Sequence, residues 1–381
     1  MGNRDLHTLQ QDAIELLKEL IATPSFSKEE DQSAGIISRF LAVKGLETTR
    51  ISNNVFSLNR YFDSSKPTIL LNSHHDTVRP NPQYIKNPFS PIIENGKLYG
   101  LGSNDAGGAL VSLIAAFLYF YEEQNLKYNL VLAATAEEEI SGTNGIEALL
   151  QSKFFPEAIA GDKLHPFEGS GAIVGEPTGM QMAIAEKGLI VIDCISQGTA
   201  GHAAQAYRFL SGGQGLAGEN AIYKAMDDIH WIKNNGFERV SDLLGPVTMS
   251  VTTIETENKL HNVIPGECRF VIDVRINELY SHEEILKILK TNLQSQVNPR
   301  SMRLRSTFIP LEHPLVKAGL KLNRSYYGSP TTSDKALIPL PTLKMGPGDS
   351  ARSHIADEYI FLEEIKDGIN IYIRLLNQVL E

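Results

Sequence analysis

Apolar residues recur at helical spacing over Leu9–Ile21, whereas Thr68–Leu71 is a short continuous apolar run with the length of a buried strand. Residues 107–121 again read as a helix and 129–134 as a strand. This alternation predicts a parallel or mixed sheet covered by helices. In such sheets ligands collect beyond the carboxyl ends of the strands, so the residues that follow each strand are the first place to look for chemistry.

The pattern changes from about Glu186. The runs G-L-I-V-I-D-C-I-S, P-V-T-M-S-V-T-T-I, C-R-F-V-I-D-V-R-I and M-R-L-R-S-T-F-I are strand-like, with helical segments at 219–233 and after Ser281. That order is β-α-β-β-α-β, which closes as a ferredoxin-like, four-stranded antiparallel sheet with two helices on one face. The expected fold is therefore α/β: a mixed-sheet host domain made of 1–181 and 310–381, interrupted by a domain inserted at 182–309. After about Pro310 come a helix, the run T-L-K-M, a Gly-Pro-Gly turn and a closing helix from Leu362.

A chain of 381 residues exceeds what one core usually holds, in keeping with two domains. The net charge of -10 is spread along the chain and Lys and Arg form no dense run, which argues against nucleic acid as a partner. No apolar leader opens the sequence, and the lipidation pattern that M-G would begin fails at Leu6. The most apolar segment, 109–120, is too short to span a bilayer and runs into Glu122 and Glu123, so it reads as a buried helix and no membrane partner is expected. The two cysteines, Cys194 and Cys268, lie in or beside strand-like runs. They suit buried small hydrophobes in a reducing compartment, with the cytoplasm as the expected location.

Five places combine acids or histidines with strand ends or glycine turns: His74-His75-Asp76; Asp105 in G-L-G-S-N-D-A-G-G; Glu137-Glu138-Glu139; Glu176 in G-E-P-T; and His354 in S-H-I-A-D-E. Each has an ordinary reading. The first could be a solvated turn, Asp105 could cap the following helix, the acidic triplet could be a solvated helix start, Glu176 a turn before Pro177, and His354 a structural histidine. What weakens these readings is their joint occurrence, because crowded carboxylates at strand ends make sense when a cation compensates them.

The ordered set H-x-D, G-x-G-x-x-D, E-E-x-x-G, G-E-P-T, G-H-A-A and a late H-x-x-D-E resembles the M20 family of di-zinc metallopeptidases and deacylases over nearly the whole chain. The resemblance implies that His74 and Glu176 hold one Zn²⁺, that Glu139 and His354 hold the other, and that Asp105 bridges both, with Co²⁺ able to substitute. It makes Asp76 the orienter of the His74 ring, Glu138 the general base, and His75 a spacer. It further implies that the inserted domain is a lid and dimerisation domain pairing two chains. His202 of G-H-A-A, otherwise a surface loop, would stabilise the oxyanion at the partner's site, with Asn262 similarly placed. Arg275, otherwise an exposed strand cation, would grip a substrate carboxylate bidentately, and Thr332 would contact substrate from the catalytic domain. A cis peptide bond at Asp105-Ala106 is implied as well. Two departures stand out: Gly107 replaces the usual lysine, and 205–218 lacks the usual Arg-Pro start.

Within the family the sequence looks most like the acetylornithine deacetylase and succinyl-diaminopimelate desuccinylase branch, since Glu176 stands where aminopeptidases and dipeptidases usually carry Asp. The expected activity is removal of an N-acetyl or N-succinyl group from a small amino acid such as ornithine or citrulline, in arginine biosynthesis. Alternatives are succinyl-diaminopimelate desuccinylation, a dipeptidase or carboxypeptidase using the same metals, and a metal-binding scaffold without activity. Glu138 argues against the last, because a scaffold has no need of an unligated base.

Overall fold

The computed structural model describes residues 5–153, 155–160, 169–205 and 219–380, which divide into two units. The first comprises 1–184, 308–327 and 333–381, and the second 185–307 and 328–332.

The first unit is built on a mixed sheet. Its strands run in the order Thr49–Ile51, Asn54–Leu58, Asn129–Thr135, Thr68–His74, Gly171–Val174 and Thr342–Lys344, the last four parallel to one another. Every residue of Thr68–His74 and Asn129–Thr135 is buried, as expected of strands covered on both faces. Leu70, Val131, Ala133, Ala172 and Val174 share a core with Ile146, Leu149 and Phe155 on one side. Helix Gly108–Phe120 packs against the two central strands and against helices Leu6–Ile21 and Leu362–Leu380. It is buried at every position except Tyr119, so the apolar segment is a core helix.

Register decides where the strands end. His74 stands opposite Thr135, and Asn72 opposite Val174, so the carboxyl ends of neighbouring parallel strands are level and open onto one edge. The segments leaving that edge carry four of the five singled-out motifs. The chain leaves the first unit after Ile184 and returns at Phe308, and the Ile309 N–H donates to the Ile184 carbonyl at 2.8 Å.

The second unit is an antiparallel sheet in the order Thr248–Thr256, Glu267–Ile276, Gly188–Gln197 and Gln296–Pro299. Helices Ala221–Asn234 and His282–Asn292 bury Ala225, Ile232, Ile285 and Leu289 against Ile190, Ile192, Phe270 and Ile272. Asn220 caps the first helix, and a Ser281/Glu284 capping box starts the second. Cys194 and Cys268 are free thiols, both buried.

One strand differs from expectation. The edge strand is Gln296–Pro299 rather than M-R-L-R-S-T-F-I, of which only Thr307–Phe308 is extended in a ladder, and that ladder lies outside this sheet. Q-V-N-P gives little periodic signal because it pairs on one side only, and an edge is where a strand tolerates proline.

Candidate metal centre

His74 ends the Thr68–His74 strand, and Glu138 and Glu139 follow the Asn129–Thr135 strand in a short 3-10 turn. Glu176 follows Gly171–Val174, and His354 lies beyond Thr342–Lys344 and the Gly-Pro-Gly turn. Asp105 sits in an irregular turn ahead of the Gly108–Phe120 helix, and its peptide bond to Ala106 is cis. Glu137, Ser141 and His354 have φ of 54°, 48° and 61°. Left-handed non-glycine residues of this kind cluster where side chains must be aimed.

These side chains converge in two groups, His74-Asp105-Glu176 and Asp105-Glu139-His354, in each of which the candidate ligand atoms lie within 4.8 Å of one another. His74 Nε2 is 3.4 Å from Asp105 Oδ1 and 3.9 Å from Glu176 Oε1. On the other side His354 Nε2 is 3.5 Å from Asp105 Oδ2 and 3.1 Å from Glu139 Oε2. Asp105 thus offers one oxygen to each group. Ligands on zinc bonds of about 2 Å stand roughly 3.3 Å apart in a tetrahedron, close to these separations. Glu138 belongs to neither group, although its Oε2 comes within 3.9 Å of His74 Nε2.

Whether these residues suit metal ions can be tested on the polar atoms themselves. Among the described residues, His74 Nε2 and Glu176 Oε1 are buried without a hydrogen-bond partner, an arrangement that is costly unless a further group satisfies them. The carboxylates tell the same story. Burial, with Asp105 and Glu139 adding to it, pushes Glu176 up to about 8 despite His74 and Lys344. Burial and the neighbouring Glu176, Asp334 and Glu139 likewise raise Glu138. On His74 burial acts downward, but Glu138, Asp105, Asp76 and Glu176 outweigh it and hold the ring well above its usual value. The bond to Glu139 raises His354 to about 9. Such a surplus of crowded anions calls for cations, and the donor set of imidazole and carboxylate suits a pair of divalent ions.

Asp76 is tied in more widely than its expected part as an orienter. His74 Nδ1 donates to the Asp76 carbonyl at 3.0 Å and lies 3.4 Å from its Oδ1. Oδ1 also accepts the Glu138 N–H at 3.1 Å, while Oδ2 accepts the Glu139 N–H at 3.2 Å and the Ser27 hydroxyl at 2.6 Å. Asp76 therefore holds the His74 ring with its carbonyl, its carboxylate charge close by, and the turn that carries Glu138 and Glu139 with its carboxylate. His75 points elsewhere: its ring bonds to the Ser33 hydroxyl and the Asn53 carbonyl, and burial lowers its pKa to about 4. Glu137 is likewise internal, with both oxygens held by Asn144.

Gly107, which replaces the usual lysine, is closely packed. A Cβ there would lie 2.4 Å from the Gly102 carbonyl oxygen and 2.5 Å from Leu17 Cδ1, so the first helix occupies the space a longer residue would need.

The remaining candidates lie in the second unit. His202 pairs with Val263 in a two-stranded ribbon beside Asn262, whose carbonyl accepts the Ala203 N–H at 2.9 Å. His202 Nδ1 accepts the Ala204 N–H at 3.1 Å, which in the neutral ring leaves the proton on Nε2. Thr332 was expected in the catalytic domain but groups with the second unit, where its hydroxyl donates to the Lys187 carbonyl at 3.0 Å. Arg275 spends its Nε and Nη2 on Asp273, at 2.7 and 3.0 Å, and Nη1 is 3.5 Å from Thr332 Oγ1. A two-pronged grip on a substrate carboxylate would have to replace that internal pair. Of the atypical 205–218 segment, residues 206–218 lie outside the described residues.

A family model for peptidase family M20/M25/M40 matches residues 70–378. The chain belongs to this family. Among curated M20 relatives, a succinyl-diaminopimelate desuccinylase of Cereibacter sphaeroides is 27% identical over 289 residues, covering 73% of this chain and 71% of that protein. One from Ruegeria sp. is 25% identical over 287 residues, covering 72% and 68%. Solved structures share the M20 fold at low identity. A metallo-carboxypeptidase of Sulfolobus solfataricus superposes with a TM-score of 0.70 at 17% identity, covering 96% of this chain and 99% of that one. A dinuclear metal-binding M20 peptidase of Bacillus subtilis gives 0.67 at 14%, covering 98% of this chain and 99% of that one.

Proposed function

We propose that this M20 hydrolase is a metal-dependent amidohydrolase that removes an N-acyl group from a small amino acid. The observation that carries the reading is Glu138: a largely buried carboxylate beside two candidate ion positions yet outside both ligand groups. His74 and Glu176 would hold one ion, Glu139 and His354 the other, and Asp105 would serve both. Two divalent cations, Zn²⁺ by the donor set with Co²⁺ as a substitute, would supply Lewis-acid polarisation of the scissile carbonyl and bring the pKa of water toward neutrality. Glu138 takes the proton of the attacking water and delivers it to the departing nitrogen, leaving a carboxylate and a free amine. Asp76 keeps His74 and the Glu138 turn in place. His202 donates Nε2–H to the oxyanion, with Asn262 beside it, while Arg275 and Thr332 bind the substrate's carboxylate end.

The sequence leaned toward acetylornithine-type substrates of arginine biosynthesis. The curated relatives, at 25–28% identity, carry the name succinyl-diaminopimelate desuccinylase, so the N-succinyl substrate stands first. The decisive assay is hydrolysis of N-succinyl-diaminopimelate, N-acetylornithine, N-acetylcitrulline and a set of dipeptides with added Zn²⁺ or Co²⁺. Cleavage of dipeptides alone would replace the deacylase reading with a peptidase, and no turnover by the metal-loaded protein would favour the scaffold.

The second unit pairs two chains as a homodimer, and His202 serves the neighbour's site. The long edge strand Thr248–Thr256, exposed along most of its length, supports pairing. Mixing inactive His202→Ala chains with inactive Glu138→Gln chains restores activity, to at most one site in two, only if His202 works in trans. No recovery in verified mixed dimers refutes the trans role, and a stable monomer refutes the dimer. Two buried free thiols fit a cytoplasmic enzyme.

A further inference from the structure

We infer that Glu358 is a positioning residue for Asp105, and that the segment carrying His354 thereby sets both candidate ion positions at once. The inference rests on the two-ion reading above.

The turn that delivers Asp105 holds only part of its own backbone: the Ser103 N–H donates to the Gly100 carbonyl at 3.1 Å and the Gly107 N–H to the Gly102 carbonyl at 2.9 Å. Its residues Asp105 and Ala106 depart from helical geometry, at φ -116°, ψ 99° and φ -115°, ψ 30°, and Gly102 takes a left-handed φ of 74°. The N–H groups of Gly102, Asn104 and Asp105 find their acceptors outside the turn, as buried donors must. Glu358, 1% exposed, supplies them: Oε1 accepts the N–H of Asn104 at 2.8 Å and of Asp105 at 2.9 Å, and Oε2 that of Gly102 at 3.1 Å. The Gly100 N–H donates to the Glu358 carbonyl at 3.0 Å. The bond to the Asp105 amide holds the nitrogen next to the Cα from which the candidate bridging carboxylate springs.

Glu358 stands four residues beyond His354, and the intervening Asp357 accepts the N–H groups of Ile85 and Lys86 at 3.0 and 2.8 Å. The segment His354–Glu358 therefore presents one candidate ligand with its own side chain and holds another by its backbone. Because Asp105 faces both groups, a shift of its turn disturbs both ions, whereas loss of His354 touches only one.

Glu358→Gln keeps the shape but leaves a single acceptor oxygen for three N–H donors. The controls are His354→Ala and Asp228→Asn. Asp228 is a buried carboxylate of the second unit that likewise accepts two backbone N–H groups, from Gln294 and Ser295, and bonds none of the candidate ligands. Zn²⁺ uptake by metal-free protein is measured by chelator competition, and the visible spectrum is recorded with Co²⁺. Glu358→Gln is expected to weaken both uptake steps about 10- to 100-fold, the range for groups that orient ligands, and to alter the Co²⁺ bands. His354→Ala weakens one step, and Asp228→Asn lowers the melting temperature with uptake unchanged. Glu358→Asp, which keeps the charge on a shorter arm, should fall between wild type and Glu358→Gln, and it replaces the latter if that chain does not fold.

A folded Glu358→Gln that takes up both ions like wild type overturns the inference and leaves the two-ion reading standing. Weakening of one step only also overturns it. If wild type itself takes up no ions, both fall. If neither Glu358 variant folds while Asp228→Asn does, Glu358 belongs to the fold and not to ligand placement, and the inference is wrong.

Discussion

Replacing Asp76 with Asn probes the node of the site while changing one atom. The Asp76 carboxylate accepts from Glu138 N–H and approaches His74 Nδ1 through Oδ1, and accepts from Glu139 N–H and the Ser27 hydroxyl through Oδ2. Asparagine has one acceptor oxygen, so in either amide orientation its NH₂ faces a backbone N–H. Ser27 can rotate to accept, but the N–H of Glu138 or Glu139 cannot. A buried donor left facing a donor costs about 1–3 kcal/mol. For a unit of this size about 2 kcal/mol corresponds to a melting temperature roughly 4–8 °C lower, since each kcal/mol moves it by about 2–4 °C. The lost charge also removes the anion 3.4 Å from His74 Nδ1 and leaves only the Asp76 carbonyl to hold the Nδ1 proton, which costs about 10- to 100-fold in metal affinity. Metal-free Asp76→Asn is to be melted by circular dichroism and then titrated with Zn²⁺. Zinc affinity equal to wild type would refute the orienting role, and an unchanged melting temperature would refute the claim that this carboxylate holds the turn carrying Glu138 and Glu139.

Glu138→Gln should retain both ions, measured by metal analysis, and lose about 10²- to 10⁴-fold in turnover; loss of an ion would make Glu138 a ligand. His75 should make the fold acid-sensitive: its folded pKa of about 4 lies below the unfolded 6.5, so its contribution is complete above pH 6.5 and is lost as pH falls toward 4. The loss amounts to about 3 kcal/mol, and denaturation curves of wild type and His75→Gln from pH 7 to 4 should diverge by that much; parallel curves would rule it out. Gly107→Ala should destabilise by about 1–3 kcal/mol, because the Gly102 carbonyl 2.4 Å from the new Cβ is backbone and cannot swing aside. Wild-type stability in that variant would show that the turn adapts.

The sequence made the five places legible because each follows a strand or a glycine turn, and level strand ends bring such residues together, but which member of each cluster faces the centre was implied only by the family resemblance. The helices and strands of both units with strong periodicity were equally plain. Gln296–Pro299 was not, since a short edge strand buries too little to leave a pattern. Thr332 fell on the other side of the division because the segment 328–332 returns to the second unit without any break in composition. The reach of Asp76 and the anchoring by Glu358 were invisible for another reason: both act on backbone N–H groups, and an amide donor looks the same at every position of a sequence. Arg275 showed a strand cation two residues from Asp273, yet the alternation that places both on one face did not say they would take each other.

The hydrogen bond from Ile309 to Ile184 has a consequence for how such a protein can be taken apart. The insertion leaves and re-enters through one doorway, so a turn of a few residues could join the two sides, and closing a short loop costs less entropy than closing a long one. Adjacent ends are also where domains are most readily gained, lost or exchanged. A host trimmed in this way would keep His74, Asp105, Glu138, Glu139, Glu176 and His354 on its own strands and turns. It would be a minimal ion-holding module, stripped of His202, Asn262, Arg275 and the Gly328–Thr332 return if that too is shortened. On the proposed reading, capture of ions and choice of substrate would lie in separable stretches of chain, free to change at different rates.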